Sequence, residues 1–211
     1  MKKVLCYGDS NTYGYNPFNG GRFNSDERWT GRLQSMLGTN YKIIEEGLNG
    51  RSITLDKNQK GESYFEFTLK RHYPVDLAVI MLGSNDLQKR FKLTASDVAA
   101  KAGEIVDKAI NISKLRSEDN KPCKILLVSP IHIEKGMEKS PFSTLFGGGK
   151  AREESLQFAK YYKQVAEKYN VYFMDASFYV KANNQDCLHL DKEGHRILAY
   201  AFKDKIKDIM E

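Results

Sequence analysis

Asp76-Leu77-Ala78-Val79-Ile80-Met81-Leu82 decides the fold. The run is continuously apolar, of strand length, and closed by Gly83, so neither of its faces is suited to water. A strand of that kind sits inside a sheet covered on both sides. Upstream, Lys3–Tyr7 and Tyr41–Glu46 read as two further strands; downstream, Lys124–Ser129 and Val171–Asp175 read as two more. Helical periodicity fills the intervals. Trp29, Leu33, Met36 and Leu37 mark a helix that Gly38 stops, and a second helix runs from about Glu62 to His72, ahead of Pro74. Ser96 is taken as the N-cap of a long helix reaching about Leu115, and a polar connector spans Arg116 to Pro122. A helix over 151–169 is expected to carry Leu156, Ala159, Tyr162 and Val165 or Ala166 on one side, and a last helix runs from about Lys192 to Ile209. Strands that alternate with helices specify a parallel sheet with helices on both faces: an α/β fold of three layers, most simply in strand order 2-1-3-4-5. No internal repeat or low-complexity stretch interrupts it, and residues 1–211 are read as one domain.

Composition narrows the function classes. A hydrophobic fraction of 41% and a charged fraction of 28% are ordinary for a soluble globular chain. The formal charge of +6 comes from scattered lysines without a basic run, which argues against nucleic acid as a partner. Cys6, Cys123 and Cys187 cannot all pair and show no metal spacing, so a cytoplasmic location is expected. Met1-Lys2-Lys3 opens like a signal peptide, but the apolar run behind it is far too short, and no segment approaches a membrane span.

In such a sheet, ligands gather beyond the carboxyl ends of the strands. Four polar stretches fall there: Gly8-Asp9-Ser10, Asn49-Gly50, Gly83-Ser84-Asn85-Asp86 and Asp186-Cys187-Leu188-His189. Ser10, just past a buried strand and between glycines, is held at the sheet's rim. Taken alone it is more often a turn or cap residue. To act as a nucleophile it needs a base, and imidazole titrates in the right range. Of the four histidines, His72 ends a helix, His132 lies in a long loop and His195 sits inside the last helix. His189 lies in a loop three residues after Asp186, a spacing that lets the carboxylate fix the ring's tautomer. Acyl transfer also builds negative charge on a carbonyl oxygen, which fixed donors must meet. The backbone N–H groups of Ser10 and Gly50 and the side-chain amide of Asn85 are the candidates, each of which would otherwise pass for a turn or cap residue.

These blocks, in this order, resemble those of the SGNH (GDSL-type) hydrolases across nearly the whole chain. Arg28-Trp29-Thr30-Gly31, Ile44-Glu45-Glu46-Gly47-Leu48 and Ile80-Met81-Leu82-Gly83 are similar to the aryl esterase and acyltransferase branch. The resemblance implies a flavodoxin-like fold, a Ser10–His189–Asp186 triad, an oxyanion hole of Ser10, Gly50 and Asn85, no metal or cofactor, and tight homo-oligomers. Asn11 stands where the family name implies leucine, and Cys187 beside the aspartate is read as a small filler. The implied activity is hydrolysis, or transfer, of short acyl groups of small or aryl esters, with carbohydrate deacetylation, lysophospholipid cleavage and thioester hydrolysis served by the same triad.

Tyr13, Tyr15, Phe18 and Trp29 near the serine, with Phe142 and Phe146 from the long loop 130–150, are expected either to wall a narrow apolar pocket or to pack as core. Asp9 and Asn11 are expected to face the same small-molecule ester. Two rivals use the same residues differently. Ser10-Asn11-Thr12-Tyr13-Gly14 has the look of a flavodoxin phosphate loop, which would make a flavin-binding module but leaves Asn85 and His189 idle. His189, Asp191, Glu193 and His195 alternate like metal ligands of a phosphoesterase, without the early Asp-x-His pair such enzymes carry.

Overall fold

The backbone at Gly8 explains why the chain turns where it does. A Cβ there would fall 2.0 Å from the Thr12 Oγ1 and 2.9 Å from the Met81 carbonyl oxygen, so only glycine lets the chain double back this closely. The computed structural model describes residues 1–55, 63–117 and 121–211. Glu62, at the expected start of the second long helix, and residues 118–120 of the connector lie outside the described residues.

Five parallel strands, β1 (Lys2–Gly8), β2 (Tyr41–Gly47), β3 (Leu77–Met81), β4 (Lys124–Ser129) and β5 (Tyr172–Asp175), form one sheet in the order β2-β1-β3-β4-β5. The expected order is the observed one. Between them run α1 (Ser10–Tyr13), α2 (Trp29–Leu37), α3 (Tyr64–His72), α4 (Ala95–Arg116), α5 (Ser143–Phe146), α6 (Gly149–Ser155), α7 (Phe158–Tyr169) and α8 (Lys192–Met210). Register aligns Gly8 with Gly47 on one side and Met81 on the other. The loops after β1, β2 and β3 therefore leave the sheet level with one another.

Alternate side chains of each strand feed two cores. Leu5, Tyr7, Ile80 and Leu127 pack with α3, α4 and α7, whereas Val4, Cys6, Val79 and Val128 pack with α2 and α8. Both faces are dry, which is why β3 reads as unbroken hydrophobicity instead of alternation.

Two helix boundaries differ from the sequence reading. The cap of α4 is Thr94, not Ser96: the Thr94 hydroxyl accepts from the Asp97 N–H while the Asp97 carboxylate accepts from the Thr94 N–H. This reciprocal box outcompetes a lone serine. The helix expected over 151–169 is two, because Ser155 closes α6. Its hydroxyl donates to the Arg152 carbonyl and accepts from the Ile133 N–H. The break turns Leu156 outward, 38% exposed, off the apolar side assigned to it.

The long loop 130–150 is largely built. Ile131, Ile133, Met137 and Phe146 are buried, and the Ser140 hydroxyl donates to the Asp186 carbonyl at 2.6 Å. No described helix is long and apolar enough to cross a membrane.

Candidate active site

Ser10 opens α1, the helical turn that follows the Gly8 bend. Its hydroxyl lies 2.8 Å from His189 Nε2, and His189 Nδ1 lies 2.7 Å from Asp186 Oδ2. All three side chains are buried. An ionised Asp186 only accepts, so Nδ1 carries the proton and Nε2 keeps a lone pair toward Ser10. Burial pushes the Asp186 carboxyl up, but its bond to the His189 ring and the backbone N–H groups of His189 and Leu188 outweigh that and hold it below its ordinary value.

The loop bearing this pair is organised by Asn183, which the sequence reading passed over. Its side-chain amide donates to Asp186 Oδ1 at 3.1 Å and to the His189 carbonyl at 2.6 Å, while its Oδ1 accepts from the Gln185 and Asp186 N–H groups. An asparagine bonding the backbone two and three residues on is an Asx turn, and that signal was present in Asn183-Asn184-Gln185-Asp186.

The expected donors come from the loops after β2 and β3. Gly50 sits at φ +74°, a left-handed conformation that glycine adopts without strain. Neither its N–H nor that of Ser10 meets an acceptor among the described residues. Asn85 follows β3. Its amide Nδ2 donates to the Arg51 carbonyl at 3.0 Å, and its Oδ1 accepts from Gln88 Nε2 at 3.2 Å. Those two bonds fix which way the amide faces and leave its second N–H for another acceptor.

Three residues outside the expected set hold the loops in register. Arg51 reaches back to donate to the carbonyls of Gly8, at 2.7 Å, and Glu46, and lies over the Tyr7 ring at 4.0 Å. Asp86 accepts from the Ile53 and Thr54 N–H groups at 2.9 and 2.8 Å, pinning the chain beyond Gly50. Glu45 accepts from Arg28 at 2.7 Å and Thr30 at 2.6 Å, so two of the motif stretches meet. Asp86 and Glu45 were visible within those motifs, but residue type alone gave no hint of their partners.

Of the expected pocket residues, two flank the imidazole. Tyr15 stands 4.4 Å from the His189 ring centroid and Phe142 stands 5.3 Å from it. The others do not. Trp29 is buried, stacked on Phe202 at 4.3 Å, and its indole N–H donates to the Asn11 carbonyl. Phe146 is buried in the core, and Phe142 packs against the same cluster from its edge. Tyr13 faces Arg22 at 4.6 Å, and Phe18 projects outward, 63% exposed. Asp9 is buried beneath the serine as the cap of α1, accepting from the Asn11 N–H; burial pushes its carboxyl up to about 6. Asn11 is tied to the loop that carries His189. Its amide donates to the Leu188 carbonyl at 3.2 Å and accepts from the Leu190 N–H at 2.9 Å, bracketing His189.

The four groups weighed as metal ligands are engaged separately. Asp191 caps α8, Glu193 pairs with Arg196, and the His195 ring accepts from the Trp29 N–H. Cys187, at φ +62°, is buried and donates its thiol hydrogen to the Lys135 carbonyl.

Comparison with known proteins accords with this geometry. Residues 6–197 match the GDSL-like lipase/acylhydrolase family. A carbohydrate acetylesterase from Sinorhizobium meliloti superposes with a TM-score of 0.88 at 31% identity, covering 100% of each chain. The aryl esterase of M. smegmatis gives a TM-score of 0.88 at 30% identity, again covering 100% of each chain. No curated protein was found to match the sequence. A family match over most of the chain and two esterases aligned end to end place the protein: it belongs to the GDSL-like lipase/acylhydrolase family and is a carboxylic ester hydrolase.

Proposed function

We propose that the protein hydrolyses short acyl, chiefly acetyl, esters of small or aryl alcohols through Ser10, His189 and Asp186. The observation that carries this reading is the unbroken line from Ser10 Oγ through both ring nitrogens of His189 to Asp186 Oδ2, with spacings of 2.8 and 2.7 Å. In the forward step Ser10 Oγ bonds to the ester carbonyl carbon while its proton passes to His189 Nε2, and Asp186 stabilises the resulting imidazolium. The N–H groups of Ser10 and Gly50 and the spare amide N–H of Asn85 receive the carbonyl oxygen as it becomes an oxyanion. Collapse breaks the bond to the alkoxy oxygen, which leaves with the proton from Nε2. Water then repeats the sequence on the acyl-serine and releases the acid.

Tyr15 and Phe142, both packed against His189 and against each other, are the wall we assign to the substrate. Their rings meet edge to face at 6.5 Å and form one continuous aromatic wall beside the imidazole, suited to a small acyl group or a flat aryl leaving group. We place the enzyme in the cytoplasm as a homo-oligomer of one-domain subunits; its three unpaired cysteines suit a reducing compartment. Ser10→Ala, assayed on p-nitrophenyl acetate, is expected to lose turnover while keeping its circular dichroism spectrum. A variant that keeps most of its turnover would remove Ser10 from the chemistry.

A further inference from the structure

The triad makes no use of Tyr162, yet its hydroxyl is spent on the backbone that leads to Asn85. The residue lies on α7, is wholly buried and stands edge-on to Phe158 at 5.4 Å. Its hydroxyl is 2.6 Å from the Leu82 carbonyl oxygen, which only accepts, so the phenol donates. Burial, with Asp86 and Asp9 close by, pushes the phenol well above its ordinary value, so it keeps that proton throughout the neutral range.

The contact sits where the sheet stops guiding the chain. β3 pairs with β1 as far as Met81; Leu82 and Gly83 follow, and the tight turn Ser84–Leu87 carries Asn85. Gly83 adopts φ +136°, and a Cβ there would fall 2.3 Å from the Tyr162 hydroxyl and 3.0 Å from Val98 Cγ1 of α4. The bend is therefore seated in a slot between two helices, which only glycine fits. Those helices are themselves in close contact: a Cβ on Gly103 of α4 would come 3.2 Å from Val165 and 3.1 Å from Tyr169 of α7. Past the bend, the Asp86 N–H donates to the Gly83 carbonyl at 3.0 Å and closes the turn. Arg51 and Gln88 hold the Asn85 amide itself, whereas the Tyr162 hydroxyl holds the peptide from which the turn departs.

We propose that Tyr162 is a positioning residue for the oxyanion hole: its hydroxyl, through the Leu82 carbonyl and the Gly83 bend, sets where the free N–H of Asn85 meets the carbonyl oxygen of the ester. This rests on the reading of Asn85 as an oxyanion donor. Phenylalanine would fill the same core, so packing alone does not require the hydroxyl, and a buried hydroxyl is costly unless it is paired. Without it the Leu82 carbonyl loses this partner and the turn is free to shift.

Tyr162→Phe keeps the ring and its contact with Phe158 and removes the hydroxyl alone. On p-nitrophenyl acetate, at a temperature where circular dichroism shows the variant folded, kcat should fall about 10–30-fold at the parent's KM, the cost of a displacement well under 1 Å. The decisive arm is the double variant. Added to Asn85→Ala, Tyr162→Phe should lower kcat by less than about twofold more, because the group it positions is gone. In proton NMR, the far-downfield signal of the His189–Asp186 hydrogen bond should keep its chemical shift, because the triad stands on other loops. Unchanged kcat in Tyr162→Phe, a raised KM at unchanged kcat, losses that multiply in the double variant, or a displaced His189 signal would each overturn the proposal. Full turnover in Asn85→Ala alone would instead end the reading of Asn85 as a donor, a result seen with Tyr162 untouched.

Discussion

Asn11 was expected to meet substrate; its geometry makes it a strut, and replacing it separates the two roles. Its side-chain amide accepts from the Leu190 N–H and donates to the Leu188 carbonyl, so it grips the backbone on both sides of His189. Both backbone groups belong to buried residues. Asn11→Ala leaves one donor and one acceptor unpaired, at about 1–2 kcal/mol each, or about 2–4 kcal/mol in all. For a chain of 211 residues that should lower Tm by about 4–15 °C. Catalysis should suffer as well, because the strut sets where Nε2 meets the Ser10 hydroxyl; an error well under 1 Å corresponds to about 10–100-fold in kcat. Asn11→Asp keeps the acceptor for Leu190 and loses the donor for Leu188, so it should fall between the parent and the alanine variant. The assay is p-nitrophenyl acetate hydrolysis with kcat and KM separated, run beside thermal unfolding at the same pH. A raised KM at unchanged kcat and Tm would return Asn11 to the substrate side and refute the strut.

Asn85→Ala should reduce kcat by about 10²–10³-fold if its free N–H meets the oxyanion, and unchanged turnover would take it out of the hole. Arg51→Met keeps the bulk over Tyr7 but cannot donate to Gly8 and Glu46; about a tenfold or larger loss of kcat is expected, with the parent's KM. The Asp9 carboxyl, pushed up to about 6 from 3.8, holds its proton more tightly folded than unfolded. Its contribution to stability is therefore complete below pH 3.8 and lost as pH rises through about 6; Asp9→Asn should show a higher Tm than the parent at pH 8 and no gain at pH 3.8. Burial drives His195 the other way, from 6.5 to about 3, so its neutral ring supports folding above pH 6.5 and that support drains away as pH falls toward about 3. Urea midpoints between those limits should fall with pH in the parent and less steeply in His195→Gln.

The sheet was legible because burial on both faces leaves little choice of residue type: β3 is apolar throughout and β4 from Ile125 to Val128, and their spacing by helices fixes a parallel order. The serine–histidine pairing was legible for a different reason. His189 is the histidine that follows an aspartate by three residues in a loop past the last strand, so topology brings it to the serine's edge. The pocket was not legible. Trp29 and Phe146 are near Tyr15 and Phe142 in sequence, but the face a side chain takes depends on how α2 and α5 roll against their neighbours, and Phe202 and the core claimed those two rings. The bonds Asn11 makes were hidden for a similar reason. A polar residue beside a nucleophile looks like a ligand contact until a loop 177 residues away is seen to need it.

Tolerances in this site are set by the loops more than by the sheet. Register brings Gly8, Gly47 and Met81 level, but the reacting groups stand two to four residues beyond those points, where no ladder bonds reach. Arg51 closes that gap on one side: its side chain holds the carbonyls of Gly8 and Glu46 while its own carbonyl receives Asn85. Asn11 and Asn183 close it on the other, around His189. Cutting these straps should leave the strands in place and let the reacting groups drift apart. Loss of turnover should therefore exceed what loss of stability alone would produce, most clearly in Arg51→Met, where no buried side chain is removed from the core.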